Sequence, residues 1–222
     1  MEGLAGVLFD MDGTLLDSER LWDRALNALA TRYGRVLSDR ARKAMVGRST
    51  RETMKLFYRD LGVRDPDPHA DSTFIADQMA RLYATDLAWR PGAAELVAEV
   101  RAAGLPAALV TTTGRRLVEV ALDTLLGRGA FDVVVCGDDV TRPKPHPEPY
   151  LTAAARLGVP PAACVAIEDS PAGVQSARAA GAVVLAVAGP VPLPVMQGVH
   201  HVPTLTGVDL SYLSKLWDAR GR

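Results

Sequence analysis

A doubly wound, parallel α/β sheet interrupted early by a block of helices is the architecture the sequence predicts, and three observations predict it. Short apolar β-rich runs recur along the chain, amphipathic helical patterns separate most of them, and the gap between the first two runs is far too long for an ordinary crossover. The runs are residues 6–9, 107–110, 133–136, 164–167 and 183–187. None alternates with polar residues, which suits strands covered on both faces. Between them, residues 92–103, 115–126 and 148–157 carry the pattern of helices with one apolar face.

The long gap is itself helical in pattern, from about residue 18 to residue 89. Leu21, Ala25, Leu26, Leu29 and Tyr33 share one helix face, and Ser38 or Asp39 offers a cap for the next helix. Arg64-Asp65-Pro66-Asp67-Pro68 reads as a loop inside the block, with His69 in it. Arg90-Pro91-Gly92 breaks the pattern and returns the chain to its α/β part, so Trp89 beside it reads as hinge or core packing. The expected division is an α/β core, Rossmann-like in its winding, of residues 1–16 and 90–222, carrying a small α-helical cap at residues 17–89.

Composition narrows the classes of function. At roughly 150 residues per domain, 222 residues suit one sizeable domain with an insertion or two small ones, and 48% hydrophobic with 23% charged residues is an ordinary globular balance. The 25 Lys and Arg against 26 Asp and Glu leave no basic footprint for nucleic acid or an anionic membrane. Between Arg178 and Asp209 there is no formal charge, but Pro190, Pro192, Pro194 and Pro203 exclude a membrane helix there. Cys136 and Cys164 lie inside apolar runs, as inert buried thiols do. With no signal-like segment after Met1-Glu2-Gly3, a reducing cytoplasm is the expected location.

Chemistry gathers where the runs end. The first run leads into Asp10-Met11-Asp12-Gly13-Thr14, whose two carboxylates, two residues apart on an extended segment, project to the same side. Thr111 closes the second run, Lys144 follows the third by a short loop, and Glu168-Asp169 closes the fourth. In a parallel sheet those ends share one edge, where open α/β sheets hold their ligands. Alone, each residue has a plainer reading as turn, cap or solvated charge; together they form a cluster. Four carboxylates then face one lysine, and at about 4 Å each like-charge pair would cost on the order of 4 kcal/mol at an effective dielectric of about 20. The cluster therefore calls for a cation, and an all-oxygen set without His or Cys favours Mg²⁺ over zinc. A metal that needs one more anionic ligand points to a phosphoryl group, hence to a small phosphorylated metabolite as the partner.

Asp10-x-Asp12-Gly13-Thr14, then Thr111, then Lys144-Pro145-x-Pro147, then Glu168-Asp169-Ser170 resembles the four motifs of the haloacid dehalogenase superfamily, in its phosphatase and β-phosphoglucomutase-like branch. The resemblance covers residues 4–213, and the helical block is similar to that family's inserted cap. It implies that Asp10 is a nucleophile forming an aspartyl-phosphate, and that Asp12 is the acid for the leaving alkoxide and then the base for water. It implies that Thr111 donates to a phosphoryl oxygen and that Lys144 neutralises charge. Mg²⁺ would be held by the Asp10 carboxylate, the Asp12 backbone carbonyl and Asp169, with Glu168 a ligand or an outer partner. Asp12 also favours phosphate esters, because relatives that cleave carbon–halogen or carbon–phosphorus bonds have no acid there.

Hydrolysis and phosphomutase activity remain alternatives at this stage, with the former favoured: ten residues past Asp12, where the family's hexose phosphate mutases place a histidine, stands Trp22. Gly47-Arg48-Ser49-Thr50-Arg51 resembles the cap loop that approaches substrate, although it reads equally as a helix start capped by Ser49 or Thr50. Glu19, Trp22, Arg48 and Arg51, with Thr112 in the core, are the candidate substrate contacts; the resemblance puts Thr112 and Thr113 in a stretch where relatives often place an Asn or Ser on the substrate side. His69, His146, His200 and His201 have no metal-motif spacing. A receiver domain also gathers such residues on a parallel sheet, but is about half this length and has no insertion. A non-catalytic sensor would be expected to lose Asp10 or Asp12, and both are present. A monomer or weak dimer is expected.

Overall fold

The computed structural model describes residues 3–45, 50–193 and 195–221, the side chains of Thr50 and Arg51 excepted. Its strands are β1 (Gly6–Phe9), β2 (Ala107–Val110), β3 (Val133–Val135), β4 (Cys164–Glu168), β5 (Val183–Val187) and β6 (Val199–Val202). They form one parallel sheet in the order β3-β2-β1-β4-β5-β6. β1 thus lies inside the sheet, and the winding reverses between β1 and β4, the position where doubly wound sheets open a crevice.

The sequence pattern locates five of the six strands to within a residue. β6 escapes it: His200 and His201 occupy its middle, so it lacks a continuous apolar run. As an edge strand pairing with β5 alone, it tolerates polar side chains.

Helices α1 (Glu19–Arg32), α2 (Asp39–Met45), α3 (Thr50–Leu61) and α4 (Pro68–Asp86) fill the interval after β1. Ser38 Oγ accepts from the Ala41 amide at 3.1 Å, so Ser38 is the predicted cap of α2. Asp67 Oδ1 accepts from the Ala70 amide at 3.0 Å and Pro68 opens α4, which puts His69 in its first turn rather than in the preceding loop. The block closes on itself at its base: Leu16 bridges Trp89, and the Arg90 amide donates to the Leu15 carbonyl at 2.7 Å. At Gly92, φ is +83° and a Cβ would meet the Leu205 backbone at 2.2 Å, so this return point admits only glycine.

The remaining helices are α5 (Ala93–Ala102), α6 (Arg115–Ala121), α7 (Glu148–Leu157), α8 (Pro171–Ala179) and α9 (Leu210–Asp218). The helix predicted over 115–126 changes to a π turn at Leu122–Leu126. Strand period sorts the core into two faces. Val7, Phe9 and Leu109 share a cluster with Leu96, Leu117 and Trp217 of α5, α6 and α9, whereas Leu8, Ala108 and Ala166 pack with Tyr150, Ala153, Val174 and Ala177 of α7 and α8. The first cluster runs on into Leu21, Leu29, Phe57, Ile75 and Met79, so the inserted helices share the core's apolar interior. Among the described residues no helix is long and apolar enough to cross a membrane.

Candidate active site

Asp10 directly follows β1, Thr111 follows β2, and β4 ends in Glu168 with Asp169 next. Parallel pairing brings these ends to one edge, and the loop after β3 delivers Lys144 to it. Lys144 Nζ lies 2.7 Å from Asp10 Oδ1, 2.6 Å from Glu168 Oε1 and 2.8 Å from the Val110 carbonyl, its three protons thus all engaged. Its side chain is 4% exposed. Burial opposes the charge, but the two carboxylates outweigh it and hold the ammonium above its usual range.

Glu168 is fully buried and fully occupied. Oε1 also accepts from Tyr150 OH at 2.7 Å, and Oε2 accepts from the Asp169 and Ser170 amides and from Ser170 Oγ. A Cβ on Gly173 would lie 1.8 Å from Glu168 Oε1, so the carboxylate rests against a glycine of α8. Asp169 accepts from Thr14 Oγ1 at 3.1 Å, and at Gly13, where φ is +84°, a Cβ would come within 2.2 Å of its other oxygen. The Gly-Thr pair after Asp12 thus seats Asp169.

The cluster is short of positive charge. Burial, then Glu168, pushes the Asp10 carboxyl up against the pull of Lys144; burial, then Asp10 and Glu168, pushes Asp169 well up. Among the described residues Asp10, Glu168 and Asp169 each offer an oxygen within 4.8 Å of the others, and Asp10 Oδ2 is buried without a hydrogen-bond partner. An open carboxylate oxygen in an oxygen-only set fits a hard divalent cation.

Asp12 faces the insertion. Its Oδ1 accepts from Tyr83 OH of α4 at 2.5 Å; its Oδ2 accepts from Thr113 Oγ1 at 2.6 Å, with Thr111 Oγ1 at 3.4 Å. Asp10, Asp12, Thr111, Lys144 and Asp169 line a cavity of about 980 Å³ between the sheet edge and the helical block, and Glu19, Trp22 and Thr112 line it too. Burial, then the charge of Asp12, pushes the Glu19 carboxyl up. Arg48 and the side chain of Arg51 lie outside the described residues. Thr113, which the resemblance marks along with Thr112, reaches Asp12. Tyr83 and Tyr150 are contacts that the sequence does not point to; they carry no spacing signal, since helix packing alone brings them in.

Sheet order and site geometry together are those of a haloacid-dehalogenase-type α/β protein. A family model for haloacid dehalogenase-like hydrolases matches residues 4–181, and the chain belongs to that family. It is 33% identical over 178 residues to the phosphorylated carbohydrates phosphatase of Thermotoga maritima, covering 80% of this chain and 82% of that one. It is 35% identical over 200 residues to hexitol phosphatase A of Escherichia coli, covering 89% of each. A mutant CbbY from Rhodobacter sphaeroides in complex with xylulose-(1,5)bisphosphate superposes with a TM-score of 0.84 at 29% identity, covering 95% of this chain and 99% of that one.

Proposed function

We propose that this protein is a phosphatase that hydrolyses a phosphorylated carbohydrate through a phospho-Asp10 intermediate. The observation that carries the reading is the convergence of Asp10, Asp12, Thr111, Lys144 and Asp169 on one cavity, large enough for a sugar phosphate. The phosphatase and sugar-bisphosphate relatives supply the substrate class.

Lys144 fixes Asp10 through Oδ1 and offsets charge on the phosphoryl group. In the first step the Asp10 carboxylate bonds to phosphorus as the ester P–O bond breaks, and Asp12 gives its proton to the departing alkoxide. Asp12, now a carboxylate, takes a proton from water as that water attacks phosphorus and frees Asp10. Thr111 is within reach of the same space as a donor. Asp10 and Asp169, with the Asp12 carbonyl, would hold Mg²⁺, and we place Glu168 behind them because both its oxygens already accept from protein donors. Bound there, Mg²⁺ supplies charge that draws the phosphoryl oxygens and the carboxylates together.

Trp22 lines the cavity at the position where the resemblance puts a histidine in mutases, which favours water over a second sugar hydroxyl as acceptor. The test is phosphate release from sugar, nucleotide and triose phosphates, with and without EDTA. Sugar phosphates should be cleaved to free sugar, EDTA should stop the reaction and Mg²⁺ restore it, and Asp10→Asn should be inactive yet folded. Full activity in Asp10→Asn would refute the nucleophile, and conversion of a hexose 1-phosphate to the 6-phosphate would favour the mutase.

A further inference from the structure

Tyr83 sits on α4, in the inserted block, yet its hydroxyl ends at the sheet edge on Asp12 Oδ1, 2.5 Å away, while Thr113 and Thr111 hold Oδ2 from the core side. The Asp12 carboxyl is therefore gripped at one oxygen by the core and at the other by the insertion. Tyr83 is 1% exposed, so no solvent competes for its proton.

The geometry points to Tyr83 as a positioning residue for Asp12, fixing the plane of the carboxyl so that proton exchange with the leaving oxygen depends on α4 being seated against the core. The inference rests on Asp12 acting as the acid. Rotation of a carboxyl about its last bond is soft and twofold. Donors on one oxygen alone leave that rotation loose, and a donor on the opposite oxygen stops it. When Asp12 carries the proton, the proton sits on Oδ2, and the threonine hydroxyls turn, since they can accept as well as donate. Tyr83 goes on donating to Oδ1. As the proton leaves, the Asp12 O–H bond breaks and the O–H bond of the departing alcohol forms, and Tyr83 keeps its own proton throughout.

The leaving group separates this role from mere packing. A sugar alkoxide needs a proton as it departs, whereas p-nitrophenolate does not. In Tyr83→Phe, kcat/KM for a sugar phosphate should fall on the order of tenfold to a hundredfold, and for p-nitrophenyl phosphate by no more than about threefold. Tyr33→Phe, which removes a hydrogen bond from Asp71 of the same helix, should affect both substrates alike. Equal loss on both substrates in Tyr83→Phe, or no loss on either, would overturn the inference. Asp12→Asn, run alongside, keeps the two readings apart. A leaving-group split there with none in Tyr83→Phe overturns the inference alone; no split in Asp12→Asn overturns the acid assignment beneath it.

Discussion

Glu168 touches no substrate in this account, yet the site is built round it. A carboxylate at 0% exposure is tolerated because Lys144, Tyr150, Ser170 and two backbone amides satisfy it, and that arrangement leaves no room on α8 for a side chain at position 173. The consequence reverses a common rule. Alanine is better than glycine inside a helix by about 1 kcal/mol, but Gly173→Ala here should destabilise the protein by about 1–3 kcal/mol, the usual range for overpacking, and cut turnover as Glu168 and Lys144 shift. Urea unfolding and phosphate release measure both; a more stable, fully active variant would contradict the packing described. The charged members of the site were legible because strand ends in a parallel sheet must converge. Tyr83 and Tyr150 were not, because a phenol arriving from a helix leaves no mark on the spacing of acids.

Caps and edges decided how much of each element could be read. Ser38 is a helix start that the sequence shows, its side chain accepting a backbone amide, whereas Asp67, read as part of a loop, caps α4 in the same way. β6 is hidden, its two histidines breaking the apolar run that marks the buried strands. The turn after β3 offers a test by pH. Asp139 accepts from the Cys136 amide at 2.9 Å and from Arg115; burial opposes its charge, but these contacts and Arg156 prevail and hold its carboxyl below the ordinary value. A lowered folded pKa contributes stability above the unfolded value of 3.8 and loses it as pH falls through the folded one. Asp139→Asn should therefore be less stable than the parent near neutral pH, by about 1.5–3 kcal/mol, the usual range for a hydrogen bond to a charged group. That gap should narrow in urea titrations as the pH falls below 3.8; a gap of undiminished size well below 3.8 would contradict the assignment.

At the scale of the whole molecule, a chain of nearly balanced charge brings four of its 26 acids, Asp10, Asp12, Glu168 and Asp169, to one sheet edge beneath a block of helices. The winding of the sheet was legible from apolar runs and the insertion from the length of the first gap, whereas the seating of α4 on Asp12 depends on packing between distant segments. The central claim is that Asp10 carries the phosphoryl group between substrate and water. Asp12→Asn keeps the nucleophile but lacks the base, so with an aryl phosphate whose leaving group needs no proton the covalent intermediate should accumulate. Acid quenching of that variant with radiolabelled substrate and Mg²⁺ should give protein-bound, hydroxylamine-labile phosphate that maps to the peptide containing Asp10. Label on another residue, or turnover with none on the protein at any quench time, would contradict the account.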